Sequence, residues 1–85
     1  MHYVYIVECK DGTLYTGYTV DLEKRMSAHN DGKGAKYTRG RLPIVLKYFE
    51  EYNVKNDALK REIKIKSYNK SRKLKLIKNF NNNIK

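Results

Sequence analysis

The N-terminal third of the chain carries the side chains best suited to chemistry on an anion. Two tyrosine-containing tripeptides, Tyr3–Tyr5 and Tyr15–Gly17, are separated by nine residues, and Arg25 and His29 follow four residues apart. Residues at that spacing lie on one face of a helix. Phenol, guanidinium and imidazole groups on facing elements can hold a phosphate and transfer a proton. Their order predicts a site that acts on a phosphodiester.

Two predicted strands place the tyrosines side by side. Residues 2–9 are β-branched or aromatic almost without a break, which predicts a strand. The Asp-Gly pair at 11–12 predicts a hairpin turn, because glycine tolerates the positive φ that such turns require. A second strand is expected over 13–19, so Tyr5 and Tyr15 should lie on adjacent antiparallel strands.

A helix is predicted from Asp21 to Asn30, with Leu22 and Met26 on its buried side. The following segment, 31–40, is rich in glycine and basic residues and is expected to be a mobile loop that closes over a phosphate backbone. The candidate nucleic-acid contacts in and beside this loop are Lys33, Lys36, Tyr37, Arg39 and Arg41. For the tyrosine, stacking on an unpaired base and local packing are both open.

The second half of the chain predicts one more strand and two more helices. Pro43 precedes a strand over 44–52, and Asn53 is the expected N-cap of a helix reaching residue 67. A shorter helix is predicted over 71–79. The apolar positions expected of the first of these helices are Ala58, Leu59, Ile63 and Ile65.

These elements predict an α+β fold, with a three-stranded, mainly antiparallel sheet flanked by two or three helices. The length of 85 residues fits one domain. We expect that domain to span residues 1–80 and the asparagine-rich residues 81–85 to form a frayed tail.

The charge of the chain predicts an anionic partner. Lys and Arg number 19 against nine acidic residues, and the net charge is +10. From Ala58 onward there are ten basic residues and one acid, Glu62. This balance favours nucleic acid, most simply DNA. A membrane surface is disfavoured because the basic tract lacks an apolar face with Phe or Trp anchors.

Several other classes are excluded or disfavoured by composition. No apolar run approaches the ~18 residues of a spanning helix, and no signal peptide is recognised, which predicts a cytoplasmic protein. The single cysteine, Cys9, excludes an internal disulfide and a cysteine-based zinc cluster.

Taken together, the motifs resemble the GIY-YIG nuclease superfamily over residues 3–68. Tyr3–Tyr5 matches the first family tripeptide, with Tyr3 in place of glycine, and Tyr15–Gly17 matches the second, with Thr16 in place of isoleucine. The loop from Asn30 to Thr38 is typical of the small stand-alone bacterial members. The resemblance implies a metal-dependent endonuclease that hydrolyses DNA with little sequence preference, on single-stranded or branched substrates, in repair or recombination.

The same resemblance implies roles for individual residues. Tyr5 would be the base or would position the water. Tyr15 would contact the phosphate or support the groups that do, and Gly17 would allow close approach. Arg25 would stabilise charge on the phosphate, while His29 would relay a proton or hold a phosphate oxygen. Glu62 would hold Mg²⁺ or Mn²⁺. The family asparagine has no convincing match, and Asn69 and Asn79 both stay open.

Each of these side chains also has a plainer interpretation. A strand tyrosine commonly packs in the core, a helix arginine is commonly solvated, and a histidine at a helix C-terminus is favoured by the dipole. Glu62 could pair with Lys66, one turn along the helix. Two other functions therefore remain: a nucleic-acid-binding module without catalysis, and a basic scaffold for a protein partner.

Overall fold

Three antiparallel strands form the centre of the fold in the computed structural model, which describes residues 1–83. They are β1 (His2–Glu8), β2 (Leu14–Thr19) and β3 (Val45–Tyr52). Strand β1 lies in the middle, hydrogen-bonded to β2 on one side and β3 on the other. The predicted three-stranded antiparallel sheet of an α+β fold is confirmed.

Among residues 1–83, four helices pack around the sheet. They are α1 (Leu22–Asn30), α2 (Lys36–Arg39), α3 (Lys55–Lys66) and α4 (Lys70–Asn83). Within residues 1–83, none of them is long and apolar enough to cross a bilayer.

Alternation along β1 separates two apolar clusters, because successive side chains of a strand point to opposite faces of the sheet. Val4 and Ile6 are buried on the face that packs against α3 and α4. Tyr5 and Val7 are buried on the face covered by α1. The residues of α1 that complete this second cluster are Leu22 and Met26, as predicted.

The hairpin register decides what faces Tyr5. β1 and β2 pair so that Tyr5 lies opposite Gly17 and Ile6 lies opposite Thr16. The turn contains Gly12 at φ 83°, and the Asp11 carboxylate accepts hydrogen bonds from the backbone and side chain of Thr13. The predicted Asp-Gly turn therefore fixes a register in which the motif glycine meets the motif tyrosine.

The segment 31–40 was expected to be a mobile loop, and this is wrong for its second half. Helix α2 forms there, because Thr38 donates to the Ala35 carbonyl and its backbone N–H bonds the same oxygen. Thr38 is fully buried. A short run with few apolar residues carries no periodic signal, so the tertiary contacts that order it are invisible in sequence.

The two C-terminal helices also depart from expectation. Asn53 is not the N-cap of α3: Val54 occupies that position without a side-chain cap bond. Ile63, expected in the core, is 69% exposed. Helix α4 continues to Asn83, beyond the expected end at residue 79, and is held by Ile77 and Phe80 against the sheet. The last two residues of the expected tail, 84 and 85, lie outside the described part of the chain.

Candidate active site

Tyr5 lies at the centre of the candidate site. It is on the middle strand, its side chain is 0% exposed, and its ring packs directly over Gly17. A Cβ atom at Gly17 would lie 2.3 Å from the Tyr5 hydroxyl, a distance that real contacts do not permit. Glycine is therefore required at this register position for Tyr5 to keep its orientation.

Helix α1 brings a cation and an imidazole to the Tyr5 hydroxyl. Arg25 Nε donates to that oxygen at 3.2 Å, and His29 Nε2 lies 2.8 Å from it. Asp21 fixes the start of the helix by accepting from the Lys24 backbone N–H. Because Arg25 and His29 are one turn apart, both reach the same phenol, as their spacing predicted.

The hydrogen bonds beyond His29 determine which of its nitrogens carries a proton. Thr38 Oγ1 donates its proton to the Ala35 carbonyl, so it can only accept from His29 Nδ1, 2.9 Å away. Nδ1 therefore carries the hydrogen, and Nε2 of the neutral ring is an acceptor. It follows that the Tyr5 hydroxyl donates to Nε2 while accepting from Arg25.

The result is a directed chain of four hydrogen bonds. It runs from the Arg25 guanidinium through the Tyr5 hydroxyl and the His29 ring to the Thr38 hydroxyl, and it ends on a backbone carbonyl. Tyr5, His29 and Thr38 are all fully buried. Such a chain positions each group through the next one and points the proton of Tyr5 at a base.

Two residues of this arrangement were missed by sequence reasoning. Thr38 was assigned only to a mobile loop, yet it fixes the tautomer of His29. Gly34 packs against the imidazole so closely that a Cβ there would lie 2.2 Å from Nδ1. The only signal in the sequence was Gly34 itself, because a residue that packs against a buried ring has to be small. The sequence does not indicate that this ring is the imidazole of His29.

Aromatic contacts surround the chain of hydrogen bonds. The ring of Tyr15 lies 6.5 Å from that of Tyr5 and 5.7 Å from that of His29. Tyr37 in turn stacks on Tyr15 at 5.8 Å. The predicted pair of motif tyrosines is thus in contact, and Tyr37, assigned to the nucleic-acid interface, forms the outer layer of the same cluster.

The predicted loop cations fall into two groups. Lys33, Lys36 and Arg39 are exposed. Arg41 instead lies over the Tyr37 ring at 4.1 Å, donates to the Tyr37 carbonyl at 2.7 Å and pairs with Asp11 at 3.1 Å. Its guanidinium therefore joins α2 to the hairpin turn.

The electrostatics of the site follow from burial and from Arg25. Burial raises the pKa of Tyr5, while the hydrogen bond and charge of Arg25 oppose that rise and the Glu62 carboxylate adds to it. Burial, and then the charge of Arg25, lower the pKa of His29 below its usual 6.5. At neutral pH the site therefore holds a neutral phenol and a neutral imidazole beside a fixed cation.

Glu62 is positioned by a neighbouring ion pair. Arg61, the preceding residue of α3, pairs with Glu50 of β3 at 3.0 Å, and Tyr48 and Tyr52 donate to the same carboxylate. This network sets the rotation of α3 about its axis. The Glu62 side chain is 17% exposed and pairs with Lys66 at 3.3 Å, the plainer interpretation offered above.

The donor set suits a metal that binds mainly through its substrate. Among residues 1–83 no group of three His, Cys, Asp or Glu side chains is arranged to hold a metal ion. Glu62 provides a carboxylate whose charge raises the pKa of Tyr5. Mg²⁺ commonly accepts one carboxylate together with waters and substrate phosphates, so this residue fits such an ion only when a phosphate is present. Asn69 is engaged elsewhere, capping the Arg72 N–H of α4.

Comparison with known proteins identifies the fold and its motifs. A family model described as the GIY-YIG catalytic domain matches residues 1–75. The chain belongs to the GIY-YIG family. Among its relatives, a UPF0213 protein of Staphylococcus saprophyticus is 58% identical, covering 89% of this chain and 93% of that protein. A UPF0213 protein of Halobacterium salinarum is 51% identical, covering 86% and 95%.

Two solution NMR structures share the fold. A UPF0213 protein of Bacillus halodurans has a TM-score of 0.59 at 47% identity, covering 91% of this chain and 82% of that one. A protein of E. faecalis has a TM-score of 0.63 at 36% identity, covering 94% and 85%. This GIY-YIG chain therefore aligns with more than four fifths of each of these two structures.

One motif substitution in this GIY-YIG domain buries a polar group. Thr16, which stands in place of the motif isoleucine, is buried on the face of the sheet opposite Tyr5. Its hydroxyl has no hydrogen-bond partner among the described residues. The substitution therefore affects packing beneath α3 and leaves the contacts of the Tyr5 hydroxyl intact.

Proposed function

We propose that this protein is a metal-dependent endonuclease that hydrolyses phosphodiester bonds in DNA with little sequence preference. Membership of the GIY-YIG family suggests a nuclease, and the net charge of +10 suits a polyanionic substrate. The observation that carries the proposal is the buried Tyr5 hydroxyl between a guanidinium donor and an imidazole acceptor. Binding alone does not require a buried phenol hydrogen-bonded to a base.

In this mechanism Tyr5 relays a proton. A water molecule attacks phosphorus, and its proton passes to the Tyr5 oxygen as the Tyr5 proton passes to His29 Nε2. A bond forms between the water oxygen and phosphorus, and the bond to the leaving oxygen breaks. The leaving oxygen takes up a proton from solvent, and His29 afterwards returns its extra proton to solvent. Because the pKa of Tyr5 is raised, its phenol stays protonated at neutral pH and cannot act as a base by itself. Because the pKa of His29 is lowered, its imidazole stays neutral, and Nε2 can accept the proton.

Arg25 has two roles in the proposal. Its Nε–H holds the Tyr5 oxygen at 3.2 Å, and its planar fork of donors also suits a phosphate oxygen. A cation at this point stabilises the negative charge that develops on the phosphate during attack. Tyr15, in ring contact with both Tyr5 and His29, covers one side of the relay and would present a second phenol to the substrate.

Glu62 is the residue that would hold the metal, exchanging its contact with Lys66 for the ion. A bound Mg²⁺ or Mn²⁺ would supply positive charge to the phosphate and the leaving oxygen. The exposed cations Lys33, Lys36 and Arg39 would contact the DNA backbone on either side, giving affinity that depends on salt more than on sequence.

The test is a nicking and cleavage assay on plasmid, single-stranded and branched DNA with Mg²⁺ or Mn²⁺. Tyr5→Phe removes the relay and should slow cleavage about a hundredfold or more. Tyr3→Phe is the matched control, because Tyr3 is two residues away on the same strand and lies outside the relay. Arg25→Ala and Glu62→Gln should also lose activity.

The outcomes separate the candidate functions. No cleavage by the wild type on any substrate, or full activity in Tyr5→Phe, would refute the proposal. DNA binding that persists in all variants without cleavage would instead support the binding module. RNA of matched sequence belongs in the same assay, since a phosphodiester is common to both.

A further inference from the structure

A cleft lies beside Tyr37. It has a volume of about 240 Å³ and opens between the β1–β2 hairpin, α2 and the start of α4. Its walls are Thr13, Leu14, Tyr37, Tyr68, Lys70 and Lys73. None of the groups assigned to the relay lines it. Because Tyr37 stacks on Tyr15, the cleft borders the site through a single aromatic layer.

The cleft carries positive charge without a matching acid. Lys70 and Lys73 form no salt bridge within residues 1–83. The Lys70 ammonium is held toward the hairpin by the Gly12 carbonyl at 3.0 Å. Burial lowers the pKa of Lys73, and the charge of Lys66 lowers it further. Cations gathered and partly desolvated in this way favour an anion between them.

The aromatic walls are held in place by arginines. Arg72 lies over the Tyr68 ring at 4.1 Å, and Arg61 donates to the Tyr68 hydroxyl at 3.4 Å. Arg41 lies over the Tyr37 ring, also at 4.1 Å. Aromatic rings beside guanidinium and ammonium groups are the usual components of surfaces that bind unpaired nucleotides.

We propose that this cleft is a second nucleotide subsite that takes one unpaired nucleotide of the substrate strand. Its phosphate lies against Lys70 and Lys73, and its base packs against the ring of Tyr68, beside Tyr37. The volume is below that of pockets for drug-sized ligands, which suits a single base. A base paired within a duplex cannot enter, so the subsite favours single-stranded or flapped DNA. This assignment rests on the proposed function only in taking the bound strand to be DNA.

Binding is measured without cleavage, by fluorescence anisotropy in EDTA. The probes are a labelled single strand, a blunt duplex of the same sequence and a strand with abasic sites. Tyr68→Leu should weaken binding of the single strand about tenfold and leave duplex binding unchanged. Lys73→Gln should weaken binding of the single strand and reduce the salt dependence of that binding by the equivalent of about one phosphate contact. Lys75→Gln is the matched control, because Lys75 is exposed and lies on the far side of α4 from Lys73.

The abasic strand tests the base contact without altering the protein. It keeps every phosphate, so the wild type should bind it about tenfold more weakly than the intact strand. Equal affinity for the two strands, equal losses in Lys73→Gln and Lys75→Gln, or loss of duplex binding in Tyr68→Leu would each overturn the subsite. The result is independent of the relay, because a wild type that never cleaves can still show this pattern.

Discussion

Replacing Thr38 with valine tests whether the hydrogen bonds behind His29 matter to catalysis. The change keeps the shape of a buried side chain but removes the acceptor of the Nδ1 proton, now 2.9 Å away, and the donor to the Ala35 carbonyl. A buried donor left without a partner costs about 1–3 kcal/mol. The imidazole can avoid this cost by moving its proton to Nε2.

That shift of tautomer is the expected cause of lost activity. With its proton on Nε2, His29 donates to Tyr5 and can no longer accept the phenol proton. The free energy that favoured the productive tautomer is lost, so we expect Thr38→Val to cleave about tenfold to a hundredfold more slowly. Thr38→Ser keeps the hydroxyl and should retain most of the activity.

The assay is the single-turnover rate of plasmid nicking across pH, with urea unfolding to show that both variants fold. The imidazolium needs acceptors at both nitrogens, so losing one should lower the pKa of His29 further and move the acid limb of the profile to lower pH. Wild-type rates in Thr38→Val, or equal losses in the valine and serine variants, would refute the tautomer argument.

Three further predictions concern packing and pH. Gly17→Ala should displace the Tyr5 ring, lowering the free energy of unfolding by about 1–3 kcal/mol in urea and abolishing nicking; a variant as stable and active as the wild type would contradict this. Thr16→Val should raise that free energy by about 1 kcal/mol without changing the nicking rate, because it removes an unpaired buried hydroxyl. Since the pKa of His29 is lowered in the folded state, the unfolded chain binds more protons below the ordinary pKa of 6.5, and stability should fall as pH drops through that value. His29→Gln should remove this dependence and His2→Gln should not.

The parts of the site that the sequence predicted are those set by local rules. The hairpin turn placed Tyr5 and Tyr15 on adjacent strands, and helical spacing placed Arg25 and His29 on one face; the pairing of Tyr5 with Gly17 was found only in the structure. Each inference used neighbours along the chain, where geometry is nearly independent of the rest of the fold.

The parts that sequence reasoning missed depend on contacts between distant segments. Thr38 and Gly34 are ordered by the His29 ring, and no periodic pattern in 31–40 reveals this. The Asn53 cap failed because α3 begins two residues later, at Lys55, where packing on the sheet outweighs capping preference. Helix α4 extends through asparagines, which disfavour helices, because Phe80 packs against the sheet.

The ordering of α2 also makes the proposed activity depend on the local stability of the segment that contains it. Segment 31–40 pairs with no strand, and it contacts the site through the Thr38 hydroxyl, the Gly34 backbone and the Tyr37 ring. Arg41, just beyond it, pairs with Asp11. A segment held by so few contacts opens more readily than the central strands. Each opening breaks the hydrogen bond from His29 Nδ1 to Thr38 that fixes the tautomer, while the sheet stays intact. On the proposed function, the fraction of molecules able to nick DNA would follow the free energy of closing this segment, and heat or denaturant should abolish nicking before it unfolds the domain.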